Sequence, residues 1–251
     1  MTYKESALLS GLVFAAAFIN LEPTYGRPPQ SLSICGSDDR RVETFSPVGI
    51  VREMNKSDEA SYCTLTLVSD SCAVSAGHCL HVFEEAEFFS SATGTESQVS
   101  SFKYSVAQGS VRALQSRIGN DWAVMRLMPN HRSGLLPGKV HGSVEVELNS
   151  QHETPREIYA FSARKLHENQ FEIVSAEGAV LWTQGNTLFH DVDTDRGSSG
   201  SLIFDALTNR AVGIHTHGGC DTMKNNKATF ISQVPFLVRA IEMCRAEEKL
   251  F

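Results

Sequence analysis

Three residues stand in contexts suited to nucleophilic hydrolysis, in the order His, Asp, Ser. His78 lies in Val74-Ser-Ala-Gly-His-Cys79, Asp121 in Gly119-Asn-Asp-Trp-Ala-Val124, and Ser199 in Asp195-Arg-Gly-Ser-Ser-Gly-Ser201. A serine hydroxyl is a weak nucleophile until an imidazole takes its proton. The imidazole in turn needs a buried carboxylate to fix its tautomer and stabilise its charged form. Residue types alone carry little weight in a chain of 251 residues, so the contexts carry the reading. Asp121 leads into an apolar run that would bury its carboxylate. His78 ends another apolar run, beside a cysteine able to pin its loop. Gly197 lets the backbone turn N–H groups toward one point, and the N–H groups of Gly197 and Ser199 are the expected oxyanion hole.

Other chemistries fit less well. A Gly-x-Ser-x-Gly elbow needs glycine where Ser201 stands and the order Ser, Asp, His, and both requirements fail. His215 and His217 are two apart on an expected strand and face one way, with Cys220 following, but no fourth zinc ligand is evident. No metal and no cofactor are expected, and His217 reads as a polar residue lining a cleft. Asp195 reads as a solvated turn residue, and Trp122 and Trp182 read as core.

The elements that must position these residues are short and β-rich. From about Ser46 the runs are Val48–Arg52, Cys63–Val68, Trp122–Leu127, Phe171–Val174, Gly178–Trp182, Ser201–Phe204 and Ala211–His215. Turn clusters separate them, among them Gly119-Asn-Asp121, Gly185-Asn186 and Thr208-Asn209. Many short strands with turn signals predict an all-β sandwich or barrel. Glu84 to Gln98 is acidic and then Ser/Thr-rich, and reads as a surface loop. Only the tail reads as helix: over Val234–Glu247, the residues Phe236, Leu237, Ala240, Ile241 and Cys244 share one face.

Composition narrows the class of protein. With 41% hydrophobic and 20% charged residues, the chain is neither disordered nor collagenous. A formal charge of -7 leaves no basic footprint, so nucleic acid is not an expected partner. The apolar run Ala7–Ile19 behind Lys4 has the size of a signal-peptide h-region, and Ala15-Ala-Ala17 offers a small-x-small cleavage site. The expected organisation is a signal peptide over residues 1–17, a Pro-rich linker or pro-segment over 18–32, and one folded domain over 33–251. Export implies a secreted or periplasmic product with no membrane contact once the signal is cleaved, and a monomer is expected. Six cysteines then permit three bridges.

At the three motifs the chain resembles the chymotrypsin-fold serine proteases. Cys63, His78 and Cys79 have the family's spacing of cysteine, catalytic histidine and following cysteine, and Ala76-Gly-His-Cys79 is similar to its Ala-Ala-His-Cys. Asp121-Trp-Ala-Val-Met-Arg-Leu127 resembles the family's Asp-Ile-Ala-Leu-x-x-Leu strand, and Gly197-Ser-Ser-Gly-Ser201 resembles Gly-Asp-Ser-Gly-Gly. The resemblance implies two six-stranded antiparallel β-barrels with a C-terminal α-helix. His78 and Asp121 would come from the first barrel and Ser199 from the second. It implies a Cys63–Cys79 disulfide, and leaves the pairing of Cys35, Cys72, Cys220 and Cys244 open. Protein or peptide substrates and a zymogen stage follow from it, with processing near Ala17 and then near Ser33, or at Arg40-Arg41.

Ser198 replaces the aspartate that precedes the family's nucleophile. In this the chain is similar to the bacterial glutamyl endopeptidase branch, as it is at Gly36-Ser-Asp-Asp-Arg40 and Gly213-Ile-His215. That branch implies that Thr194 and His215 bind the carboxylate of a substrate Glu. A hydroxyl and an imidazole N–H supply the donors such a group needs on leaving water. Asp193 stands six positions before Ser199, where trypsin-like enzymes hold a pocket aspartate, so Arg/Lys preference is the alternative. A protease-fold binding protein without activity is the other.

Overall fold

The computed structural model describes residues 33–52, 61–90, 100–167 and 170–248. The expected signal peptide and the linker or pro-segment over 18–32 lie outside the described residues. Two antiparallel β units follow one another along the chain. The first contains β2 (Val48–Arg52), β3 (Tyr62–Leu67), β4 (Cys72–Ser75), β5 (Glu85–Ser90), β6 (Ser100–Ser105), β7 (Arg112–Gln115) and β8 (Asp121–Arg126). Its seven strands run in the order β6-β5-β2-β3-β4-β8-β7. The second contains β9 (Glu157–His167), β10 (Gln170–Gln184), β11 (Thr187–His190), β12 (Leu202–Asp205), β13 (Ala211–His217) and β14 (Asn226–Phe230). These six close into a barrel, because β10 pairs with both β11 and β9, and β1 (Arg41–Glu43) pairs with β10 along the edge opposite β9.

Burial explains why these segments are strands. In β3 and β4 nearly every residue is buried, as expected of strands covered on both faces. Leu65, Leu67, Ala73, Ala123 and Met125 fill the interior of the first unit. Ile158, Leu188, Ile203, Val212 and Ala228 fill the second. A third cluster joins the units: Trp122 and Val124 of β8 meet Leu202 of β12, Ile214 of β13 and the helix α3 (Pro235–Glu248). The other two α-helices among the described residues are short, α1 (Pro137–His141) and α2 (Cys220–Met223).

Four expectations are corrected by packing. Glu85–Ser90 is a strand, not part of a loop, because Ala86 and Phe88 alternate into the core and Arg52 pairs with buried Glu87 at 2.6 Å. Phe171–Val174 and Gly178–Trp182 are one strand of 15 residues. Its far end projects beyond the barrel, so Trp182 is 47% exposed and stacks on Phe189. Phe236 is exposed, since the buried stripe of α3 is Leu237, Ala240, Ile241 and Cys244, and residue 236 lies a third of a turn before it.

Three disulfides brace the fold: Cys63–Cys79, Cys72–Cys244 and Cys35–Cys220. The first closes the loop that carries His78, the second ties α3 to β4, and the third ties the N-terminal segment to α2. Among the described residues no helix is long and apolar enough to cross a membrane.

Candidate active site

His78 lies in a 3-10 helix, Gly77–Val82, that follows β4, and Asp121 opens β8 beside it. The β4–β8 ladder runs from Cys72↔Arg126 to Ser75↔Ala123, so the two segments reach the same edge of the first unit. Gly77 permits this approach: a Cβ there would stand 2.2 Å from the Leu114 carbonyl oxygen and 2.8 Å from that of Trp122. The Asp121 carboxylate is held twice. Its Oδ1 accepts from the His78 backbone N–H at 2.9 Å, and its Oδ2 lies 2.7 Å from His78 Nδ1. Burial works to raise the Asp121 carboxyl, and the hydrogen bonds and charge of His78 outweigh it, leaving the group below its ordinary value. An ionised Asp121 accepts a hydrogen bond from Nδ1–H, which keeps the proton there and leaves Nε2 as the nitrogen able to take one.

Ser199 sits in a turn whose hydrogen bonds are unevenly spent. The N–H of Ser198 bonds Asp195 O, that of Gly200 bonds His215 O, and that of Ser201 bonds Ser198 O, at 3.0, 2.8 and 3.0 Å. The N–H groups of Gly197 and Ser199 have no such partner among the described residues. The Ser198 hydroxyl is buried and accepts from the Asp195 N–H at 3.0 Å, whereas Ser199 is only half-buried. Gly197 has φ +88°, and a Cβ there would meet the Tyr62 ring at 2.1 Å. Only glycine meets both conditions.

The turn is anchored from the first unit by residues that the motifs did not single out. The Thr64 N–H bonds the carbonyls of Gly197 and Ser199, each at 2.9 Å, and its hydroxyl donates to Gly197 O at 2.8 Å. The Tyr62 hydroxyl donates to Arg196 O at 3.0 Å. In the other direction, the Thr229 hydroxyl of β14 donates to Asp121 O at 2.9 Å. Thr64, Tyr62 and Thr229 sit in strand-like runs in the sequence, but their partners are 133, 134 and 108 positions away. No local signal marks them.

The structure separates the two expected determinants of specificity. Thr194 and His215 are both buried, and Gly200 and Ser201 are hydrogen-bonded to His215 through the backbone. His215 Nδ1 lies 3.3 Å from His190 Nε2 of β11. Asn226 of β14 joins three strands of chain: its Nδ2 donates to Ser33 O, Val192 O and Thr194 Oγ1 at 2.7, 2.9 and 3.2 Å, while its Oδ1 accepts from the Gly219 N–H at 3.0 Å. Asp193 turns elsewhere. Its two oxygens accept from the backbone N–H groups of Cys35 at 2.6 Å and Asp39 at 3.3 Å. Burial raises the Asp193 carboxyl above its ordinary value, against those two bonds.

The His217 ring lies 6.0 Å from that of His78, which places it at the cleft. Cys220 is bonded to Cys35, which removes the thiolate that a His215–His217–Cys220 zinc grouping would require. The close set Cys63, His78 and Cys79 is likewise spent, since its two cysteines are bonded to each other.

A sequence model of a family described as Trypsin matches residues 43–241. No curated protein is matched in sequence. Among solved structures, a Glu endopeptidase in complex with MPD is similar at a TM-score of 0.63 and 16% identity, covering 84% of this chain and 98% of that one. The protease Anisep from Arthrobacter nicotinovorans is similar at 0.56 and 16% identity, covering 76% of this chain and 93% of that one. These likenesses are of fold.

Proposed function

The chain belongs to the trypsin family of serine endopeptidases, and from that premise we propose that it hydrolyses peptide bonds with Ser199 as nucleophile, His78 as general base and acid, and Asp121 as the group that orients His78. Ser199 Oγ bonds to the scissile carbonyl carbon as its proton passes to His78 Nε2. The carbonyl oxygen takes the negative charge and is received by the N–H groups of Gly197 and Ser199. Collapse of this intermediate expels the amine, which leaves with the proton from His78. Water then attacks the acyl-enzyme, again giving a proton to His78, which returns it to Ser199 Oγ as the acid product departs.

The observation that carries this reading is the double hold on His78 by the buried Asp121, at 2.7 and 2.9 Å. The free N–H pair at Gly197 and Ser199, between neighbours whose N–H groups are bonded, supports the oxyanion role. Labelling with a fluorophosphonate tests the proposal. Ser199→Ala should abolish labelling and cut kcat by several orders of magnitude. Ser198→Ala should still label. Labelling lost only in Ser198→Ala would place the nucleophile one residue earlier. A processed chain, with its N-terminus confirmed near Ser33, that never labels would mark a binding protein.

For specificity we propose Glu before the scissile bond, with the Thr194 hydroxyl and the His215 imidazole as donors to its carboxylate. The engagement of both Asp193 oxygens with Cys35 and Asp39 supports Glu over Arg/Lys, because that carboxylate is spent on the N-terminal segment. Matched peptides bearing Glu, Gln, Arg or Phe at this position decide it, and faster cleavage after Arg than after Glu would overturn the assignment. Export of the chain, with cleavage near Ala17 and Ser33, is proposed with it. N-terminal sequencing of material from the medium or periplasm reads both cuts.

A further inference from the structure

Each N–H of the proposed oxyanion hole shares its peptide unit with a carbonyl, and the two carbonyls are held by different means. In a trans peptide the C=O and N–H of one unit point opposite ways, so whatever fixes the carbonyl aims the N–H. The Ser199 N–H belongs to the unit whose carbonyl is Ser198 O. That carbonyl accepts from the Ser201 N–H at 3.0 Å, inside the same turn. The Gly197 N–H belongs to the unit whose carbonyl is Arg196 O. This one accepts from the Tyr62 hydroxyl at 3.0 Å, across 134 positions of sequence. No backbone N–H of the described residues bonds it.

Glycine makes this tether necessary. Gly197 has a φ of +88° and no room for a Cβ against the Tyr62 ring. Glycine takes φ of either sign at similar cost, so the backbone by itself does not choose how the Arg196–Gly197 unit is turned. The hydroxyl of Tyr62 is placed to make that choice. Its ring meets Phe171 of β10 edge to face, with centroids 4.8 Å apart. Its oxygen accepts from the Lys165 N–H of β9 at 3.1 Å, and its own hydrogen goes to Arg196 O. Burial raises the Tyr62 hydroxyl above its ordinary pKa, so it remains a donor well above neutral pH.

We propose that Tyr62 is a positioning residue of the oxyanion hole, whose hydroxyl holds the Arg196–Gly197 peptide in the orientation that presents the Gly197 N–H to the developing oxyanion. The proposal rests on the serine hydrolysis proposed above. Thr64, on the same face of β3, is the natural comparison. Its hydroxyl also bridges β9 and the turn, accepting from the Ala163 N–H at 3.1 Å and donating to Gly197 O at 2.8 Å. Loss of either hydroxyl leaves one N–H of β9 and one carbonyl of the turn short of a bond. The two differ in which peptide is released. Gly197 O shares its unit with the Ser198 N–H, which is spent on Asp195 O, and it keeps the bond from the Thr64 N–H. Arg196 O shares its unit with an oxyanion donor.

The experiment measures kcat and KM on whichever matched peptide amide the wild type cleaves fastest, and the affinity of the corresponding peptide aldehyde. The proteins are the processed wild type, Tyr62→Phe, Tyr62→Met and Thr64→Val, with active sites titrated to completion by a fluorophosphonate so that only folded enzyme is counted. Ser199 Oγ adds to the aldehyde carbon as its proton passes to His78, and the charge that develops on the carbonyl oxygen reports on the hole. Tyr62→Phe should lower kcat at least ~tenfold, within the ~10²–10³ that loss of a whole donor costs, with KM little changed. Its affinity for the aldehyde should fall by the same factor. Thr64→Val should lose comparable stability in urea and much less of kcat. Tyr62→Met also lacks the hydroxyl and carries the test if Tyr62→Phe does not fold. Equal losses of kcat in Tyr62→Phe and Thr64→Val would assign both hydroxyls to general support of the turn and overturn the proposal. A fall in kcat with undiminished affinity for the aldehyde would overturn it too. An active wild type with an unchanged kcat in Tyr62→Phe overturns the role of Tyr62 alone, whereas a processed wild type that neither cleaves nor labels overturns the hydrolysis itself.

Discussion

Asn226 shows how much one residue can fix at the edge of a site. Its side-chain amide holds the N-terminal segment at Ser33, the chain before the Ser199 turn at Val192 and Thr194, and the turn after β13 at Gly219. All four groups meet a side chain that is fully buried. Asn226→Leu keeps the volume and leaves several buried partners unpaired, at ~1–3 kcal/mol for each group left unsatisfied. The expected outcome is a loss of at least ~2 kcal/mol in urea unfolding, with a raised KM for Glu peptides and a smaller change in kcat. Unchanged stability would show that water replaces the amide. Gly197 is a second such residue. Gly197→Ala has to leave its φ of +88° and push the Tyr62 ring aside, which moves an N–H of the proposed oxyanion hole. Losing one such donor costs ~10²–10³ in kcat. Retained kcat in Gly197→Ala would remove that N–H from the mechanism.

At the scale of elements, α3 is the part whose attachment can be read bond by bond. Its apolar stripe packs under β8, the strand that begins with Asp121. Its last turns are clamped to the chain around β4. Arg245 donates to Val68 O at 2.9 Å, Glu248 accepts from the Ser69 hydroxyl and the Ser71 N–H, and Cys244 is bonded to Cys72. That disulfide spans 172 residues of sequence, and in the chain-entropy account so long a loop contributes about 5 kcal/mol, an upper figure. Replacing both cysteines, as Cys72→Ala with Cys244→Ala, should lower the unfolding midpoint by more than 10 °C. Activity at 20 °C should persist, because no residue of the proposed triad is touched. A loss of activity without a loss of stability would show that α3 sets the position of Asp121.

For the whole molecule, buried neutral histidines set the expected response to acid. His141 sits among Phe88, Phe102 and Tyr104, hydrogen-bonded to Ser46 and Tyr104, and burial pushes it down to about 4. His190 is pushed down further, to about 3. In the unfolded chain such imidazoles protonate near 6.5, so between that pH and the folded value the unfolded state binds more protons. Stability is therefore complete above pH ~6.5 and falls as the pH drops toward 4, by up to about 3 kcal/mol for His141 alone. Urea midpoints measured from pH 7.5 to 4 should show this slope, and His141→Phe should flatten it. Equal slopes in the two proteins would mean that His141 is not held neutral in the folded state.

The sequence by itself determined the chemistry-bearing motifs, the β character and the C-terminal helix. These rest on short-range patterns: glycines beside Ser199, an apolar strand behind Asp121, and 3.6-residue periodicity in the tail. It carried no sign of which distant groups would meet. The strand β14 reads only as Asn-Lys-Ala-Thr-Phe, yet Asn226 and Thr229 reach two different parts of the site. Asp193 illustrates the point most directly. In the sequence it competes with His215 for the same role, since spacing fixes its position along the chain and not the direction of its side chain. Tertiary structure sets that direction by bringing Cys35 and Asp39 across 158 and 154 positions, so that their N–H groups meet its carboxylate. Backbone donors that arrive from so far away leave no trace in local composition, because any residue type except proline presents the same N–H.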